Sequence, residues 1–319
     1  MSWARHKSVV TVAAAVVLAA LLAACGGGQA PRPAGADLRS PFTGEPVSSL
    51  NRVLAVKIDN IVYARPQTGL DHADIVYVLP VEGGLSRFLA IFSSDYPPVI
   101  GPVRSAREDD LELLRQFGRP AFAYSGATAT LLPYIQRTAR IVDLYSGTTR
   151  GYYRDTSRVA PYNLYAHTGQ LLAQAADASK ARDIGFRFGP PPPGGNVTES
   201  ASVSYPAASF RFTWSAAKGR WLVAMDGKSA VTSSGAPLSA VTVVIQHTTV
   251  RTSRFLEYGK PPPYAESTGS GTALVLRDGK AWTAHWSRPD ADAGTTFTTA
   301  SGQRMTFAPG QVWVVLTQR

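Results

Sequence analysis

The arginines of the run IGPVRSAR (100–107) are the residues best placed to do chemistry. Arg104 and Arg107 directly precede EDDLELLRQF (108–117), whose Leu111, Leu114 and Phe117 fall on one stripe and predict a helix. Ser105 followed by Glu108 reads as a capping box that starts it. Cations at a helix start oppose the macrodipole, so a purely structural role disfavours them there. An anion would satisfy both the free backbone N–H groups and the guanidinium forks. The chemistry they point to is capture of a phosphate or carboxylate. The competing reading is a surface network in which Glu108, Asp109 and Asp110 neutralise the pair.

Neighbouring residues complete the candidate set: Asp59 and Asn60 at the end of a first strand, Arg65 before Pro66, and Asp74 opening a second strand. Glu82 and Arg87 flank a Gly83-Gly84 turn. Carboxylates among arginines hold divalent metals or orient nucleophiles, though each alone is also an ordinary cap or ion-pair partner. A second cluster, YRDTSRVAPYNLYAHT (153–168), gathers Arg154, Asp155, Arg158, Asn163 and His167 in one irregular loop, where Asn163 equally serves as a brace.

Several chemistries are absent. Cys25 is the only cysteine, so beyond it there is neither disulfide nor thiolate metal site. His72, His167, His247 and His285 show no paired metal spacing, and no metal site or cofactor is expected. There is no nucleophile elbow, Walker loop or dinucleotide fingerprint. Trp214, Trp221, Trp282 and Trp286 could stack on sugars, but core packing is the simpler role.

Elements that position these residues alternate along the first half. RVLAVKID, IVYVL (75–79) and FLAIFS (88–93) read as strands, the last two joined through Gly83-Gly84. Strands at 121–125 and 141–145 alternate with helices at 108–117, 130–137 and 169–182. After FRFGPPPPGGN (186–196) everything reads as strands and hairpins, including one with Asp278-Gly279 at its tip and two strands in RMTFAPGQVWVVL. The expected class is α/β (α+β): a layered mixed-sheet N-terminal domain (51–189), a Pro/Gly linker (190–196), and a smaller β-rich C-terminal domain (197–319) packed against it.

The N-terminus carries an address. Arg5, His6 and Lys7 precede an uncharged apolar run (8–24) ending in Leu22-Ala23-Ala24-Cys25, which resembles the bacterial lipobox. The resemblance implies removal of residues 1–24 as a signal peptide and lipidation of Cys25. The Gly/Pro/Ser-rich stretch 25–50 then reads as a flexible tether, with order beginning at Arg52. The mature chain would carry 30 Lys and Arg (32 less Arg5 and Lys7) against 22 Asp and Glu, a net charge of +8. A basic surface at a membrane attracts anionic lipid and envelope polymers, and export removes the chain from nucleic acid.

The runs LAVKIDN…ARPQTGLDHADIVYVLPVEGGLSRFLAIF, IGPVRSAR, YRDTSRVAPYNLY and FAPGQVWVVL resemble the YerB-like bacterial lipoproteins over roughly residues 42–319. That resemblance implies a membrane-anchored protein with an N-terminal domain of unknown function and a C-terminal companion. The family typically reads Pro-His-Asn-Leu-Tyr where this chain has Pro161-Tyr162-Asn163-Leu164-Tyr165, so a base at that position would be missing here. A looser likeness to the LytR–CpsA–Psr phosphotransferases makes Asp74, Arg87, Arg104 and Arg107 counterparts of residues that grip a polyprenyl pyrophosphate and magnesium.

The expectation is therefore a lipoprotein on the outer face of the cell membrane that binds an anionic lipid or cell-wall polymer through its arginines. Its alternatives are a phosphotransferase or hydrolase acting on polyprenyl-phosphate-linked or glycan substrates, the one case that brings in Mg2+, and a non-catalytic envelope scaffold.

Overall fold

Alternating burial builds the first strand. In β1 (Leu54–Asp59) Leu54, Val56 and Ile58 pack in one apolar cluster, while Ala55 packs in a second on the opposite face. The computed structural model describes residues 38–257 and 259–318, and from Leu38 onward the chain forms one compact unit. Cys25 and the expected signal segment lie outside the described residues.

Nine further strands join β1: β2 (Ile75–Pro80), β3 (Ser86–Phe92), β4 (Ala121–Tyr124), β5 (Val142–Tyr145), β6 (Thr242–Thr248), β7 (Gly269–Arg277), β8 (Lys280–Arg288), β9 (Thr296–Thr299) and β10 (Val312–Gln318). Their order across the sheet is β9-β8-β7-β6-β10-β2-β3-β1-β4-β5, and a short Asn196–Val197 strand adds to β8. The sheet is mixed, with β10 parallel to both β6 and β2. VWVVL, apolar without alternation, suits that place, since a central parallel strand is buried on both faces. Through β10, strands from both halves of the chain share one sheet.

One face of this sheet carries Val78, Phe88 and Trp313 against a small antiparallel sheet built from Ser200–Tyr205, Ala208–Ser215 and Arg220–Met225. The other carries Tyr77, Leu89 and Val314 against α1 (Glu108–Leu114) and α2 (Leu131–Arg137). Strand and helix layers thus match the expected class.

Local departures have backbone reasons. Residues 38–50, expected within the tether, are folded: Phe42 is fully buried and meets Phe117 edge-on at 5.3 Å. The helix expected over 169–182 stops as α3 (Thr168–Ala173), because the following backbone pairs elsewhere. Ser179 O accepts from Val53 N at 2.8 Å and Ala181 N donates to Asn51 O at 2.8 Å. The loop 146–167 contains two short strands, Tyr152–Arg154 and Leu164–His167, paired with each other. RMTFAPGQVWVVL supplies one strand instead of two. Trp221, Trp282 and Trp286 are core residues, and Trp214 is half-buried against Trp221.

Helix α1 is capped differently from expectation. Arg107 is its N-cap, and the Asp110 carboxylate accepts from the Arg107 backbone N–H at 2.7 Å, so Ser105–Glu108 is not the capping pair. The other Asp110 oxygen meets Lys57 Nζ at 2.6 Å, both side chains being wholly inaccessible to solvent. Removing one member of a buried pair strands the other, at a cost of about 3–5 kcal/mol, whereas removing both is much cheaper. Chemical denaturation should therefore find Lys57→Met destabilised by roughly that amount and Lys57→Met/Asp110→Leu recovering part of the loss, short of wild type because the Arg107 N–H then lacks its acceptor.

Candidate functional site

Strand pairing creates the site. Asp59, the last residue of β1, lies in register with Arg87 of β3, so both side chains emerge at one end of the sheet on the α1 side. The segment between Val103 and α1 then crosses these strand ends in extended form. Arg104 N donates to Lys57 O at 2.8 Å, Ser125 N donates to Arg104 O at 3.0 Å, and Ala106 N donates to Gly126 O at 2.8 Å. Arg104 and Arg107 are thereby delivered over Arg87, and Glu82 arrives from the turn after β2.

These five residues line a cleft of about 650 Å³ together with Tyr162, Glu257 and Lys260. Arg107 clasps Glu82 through two bonds, Nε to Oε1 at 2.6 Å and Nη2 to Oε2 at 2.9 Å, and lies 3.6 Å from Glu257. Arg104 Nε stands 2.9 Å from Asp59 Oδ2 without hydrogen-bond alignment, and its guanidinium lies 5.5 Å over the Tyr162 ring. Arg87 is 9% exposed. Among the described residues it makes one hydrogen bond, Nη1 to Ser105 O at 3.1 Å, and its closest carboxylate oxygen is Asp59 Oδ1 at 3.9 Å. A guanidinium offers five N–H donors, so most of this one is unmatched.

The electrostatics follow from burial. Desolvation, then the charge of Arg107, brings the Arg87 guanidinium down to about 10 despite Asp59 and Glu82. Burial raises Glu82, but the hydrogen bonds and charge of Arg107 outweigh it and hold the carboxyl below its ordinary range. Four cations (Arg87, Arg104, Arg107, Lys260) face three carboxylates (Asp59, Glu82, Glu257) in the cleft, leaving one positive charge in excess.

The other sequence candidates are elsewhere. Asn60 borders the cleft, donating to Ser86 Oγ at 3.0 Å. Arg65 turns away to Asn60 O at 2.8 Å and Asp226 Oδ2 at 2.7 Å, which ties the β1 end to the small sheet. Arg154 and Asn163 brace their own loop, bonded to each other at 2.8 Å, with Asn163 Nδ2 donating to Asp155 O and Arg158 O. The acids of α1 do not neutralise the arginines as a surface network. Glu108 accepts from Ser253 Oγ at 2.6 Å and pairs with Arg254, while Asp110 holds Lys57. Asp109 is wholly buried against Ala265, and burial together with the Asp110 charge pushes its carboxyl up.

Sequence reasoning missed Glu257 and Lys260, which reach the cleft from some 150 residues downstream. No local motif marks them. Tyr162 was visible only as a departure from the family pattern. Among the described residues no helix is long and apolar enough to cross a membrane, and no three Asp, Glu, His or Cys side chains group as metal ligands.

With the geometry in hand, similarity becomes informative. Residues 42–182 match the N-terminal domain, and residues 201–314 the C-terminal domain, of a family described as protein of unknown function DUF3048. The chain belongs to this YerB-like family. It is 27% identical over 306 residues to the Bacillus subtilis (strain 168) protein named "Putative lipoprotein YerB", covering 87% of this chain and 85% of that one. The crystal structure of YerB from Bacillus subtilis superposes with a TM-score of 0.77 at 22% identity, covering 88% of this chain and 97% of that one, which establishes the shared fold.

Asp74 sits at the opposite end of β2 from the cleft, its carboxylate accepting from Ser93 N at 2.5 Å and Ser94 N at 3.0 Å. Burial nevertheless pushes it up to about 6 from its ordinary 3.8. The folded state therefore holds this proton more tightly than the unfolded state. The stabilisation is full below about pH 4 and is lost as pH rises through about 6. Denaturation across pH should show Asp74→Asn gaining on wild type by up to about 3 kcal/mol between pH 4 and 7; a parallel pair of curves would remove Asp74 as their source.

Proposed function

We propose that this YerB-like protein is a lipoprotein, anchored through Cys25 at the outer face of the cell membrane, that binds a phosphate- or carboxylate-bearing envelope ligand in the arginine cleft. The observation that carries the binding reading is Arg87, a nearly buried guanidinium with a single hydrogen bond in a cleft of net positive charge. Natural interiors rarely leave such donors unmatched, and an anion supplies the acceptors and the missing negative charge together.

Binding is favoured over turnover by the state of the two first-half carboxylates. Asp59 faces Arg104 and Arg87, and Glu82 is clasped by Arg107 and kept ionised. Held low by Arg107, the Glu82 carboxyl is not poised near neutrality to act as an acid or base. The anchoring reading rests on the Leu-Ala-Ala-Cys run and on the name carried by the B. subtilis relative.

Calorimetry with inorganic phosphate tests the site. Charged hydrogen bonds contribute about 1.5–3 kcal/mol each, so Arg87→Met and Arg104→Ala should each weaken binding by about 10- to 100-fold. Arg154→Ala, outside the cleft, should bind as wild type does. Equal binding by all four proteins removes the cleft from consideration. For the anchor, mass spectrometry of the protein extracted from membranes should find Cys25 as the first residue with acyl chains attached; an unmodified Cys25, or a chain that still carries residues 1–24, contradicts lipidation.

A further inference from the structure

The arginine cleft does not end at Glu82. A second cleft of about 420 Å³ adjoins it and shares Val81, Glu82 and Lys260 as lining residues. Its walls are of a different kind. Pro80, Val81, Pro206, Val250, Pro261 and Pro263 are six of its fourteen lining residues. A proline has no N–H, so four of these six residues present hydrocarbon where a peptide donor would otherwise face the space. The Tyr205 hydroxyl, also in the lining, is already spent on Leu316 O at 2.7 Å. Ser204, Thr317 and Gln318 complete the lining with uncharged polar groups, so Glu82 and Lys260, the two charged residues, stand where the clefts meet.

Five separate parts of the chain build this second cleft: the turn after β2, the tip of the Ser200–Tyr205 hairpin, Val250, the segment leading into Pro263–Ala265, and the end of β10. Gly84 allows the first two to meet. Its φ is +70°, Ala207 N donates to its carbonyl at 2.9 Å, and a Cβ there would come within 2.6 Å of Pro206 Cβ. The volume falls in the range of ligand pockets, about 300–1,000 Å³.

A cationic cleft continuous with a proline-walled apolar one fits an amphiphile. We infer that the ligand is an amphiphilic phosphate, its anionic head among Arg87, Arg104 and Arg107 and the first part of its apolar tail between Val81, Val250 and the prolines. This rests on the anion reading of the arginine cleft and adds the substrate class to it.

The test is a calorimetric series of monoalkyl phosphates (ethyl, butyl, hexyl, all below micelle formation) beside inorganic phosphate, using the full chain. Each methylene that leaves water contributes about fourfold in affinity, so binding should tighten by about that factor per methylene until the cleft is filled. Val250→Ser and Pro261→Ser should flatten the series while binding inorganic phosphate as wild type does, which also reports that both variants are folded. If wild type binds inorganic phosphate but all alkyl phosphates equally, the tail site is overturned and the anion site stands. A series that tightens with chain length but is unchanged in both variants places the tail elsewhere and also overturns it. If neither inorganic phosphate nor any alkyl phosphate binds, the anion reading fails, and the tail site with it.

Discussion

Lys57 and Asp110 meet at 2.6 Å with no solvent access, and the placement of Arg104 and Arg107 in the cleft depends on that contact. The lysine acts twice. Its ammonium holds Asp110, which in turn receives the Arg107 backbone N–H, and its carbonyl receives the Arg104 backbone N–H. One residue of β1 therefore fixes both ends of the tetrapeptide Arg104–Arg107. Two charges taken out of water seldom stabilise a fold more than an apolar pair would. What this pair supplies is position: it sets two guanidinium groups over a third that β3 delivers independently, and like charges would otherwise move apart.

The second half of the chain completes what the first half begins. β10 enters the sheet between β6 and β2, which brings the downstream strands alongside β2. The acids of α1 then grip the returning segment: Glu108 holds Ser253 and Arg254, and Glu112 takes Tyr264 at 2.7 Å and Ser267 at 2.9 Å. Glu257 and Lys260 lie between these two points of attachment and reach the cleft. Glu108, which by sequence looked like a local neutraliser of Arg104 and Arg107, serves with Glu112 to dock a distant stretch of chain beside them.

Legibility followed the range of the interactions. Strand alternation is local, so β1, β2, β3 and the Asp278-Gly279 hairpin could be read directly, as could the apolar stripe of α1. The arginine run was visible because cations before a helix are unfavourable without a partner. Register across strands is not local. Nothing near Asp59 says that Arg87 will lie beside it, or that Asp74 will fall at the far end of β2. The end of α3 at Ala173 was equally hidden, because Ser179 accepts from Val53 and Ala181 donates to Asn51 instead of continuing the helix. Arg65 looked equivalent to its neighbours until Asp226, on the small sheet, claimed it.

An anion belongs against the Arg87 guanidinium. A crystal of the protein grown with selenate, a tetrahedral dianion whose selenium scatters anomalously, locates such a ligand directly. The expected result is an anomalous peak in the cleft, with selenate oxygens within hydrogen-bond distance of Arg87 and Arg104. Peaks confined to arginines outside the cleft, with no anion against Arg87, would contradict it.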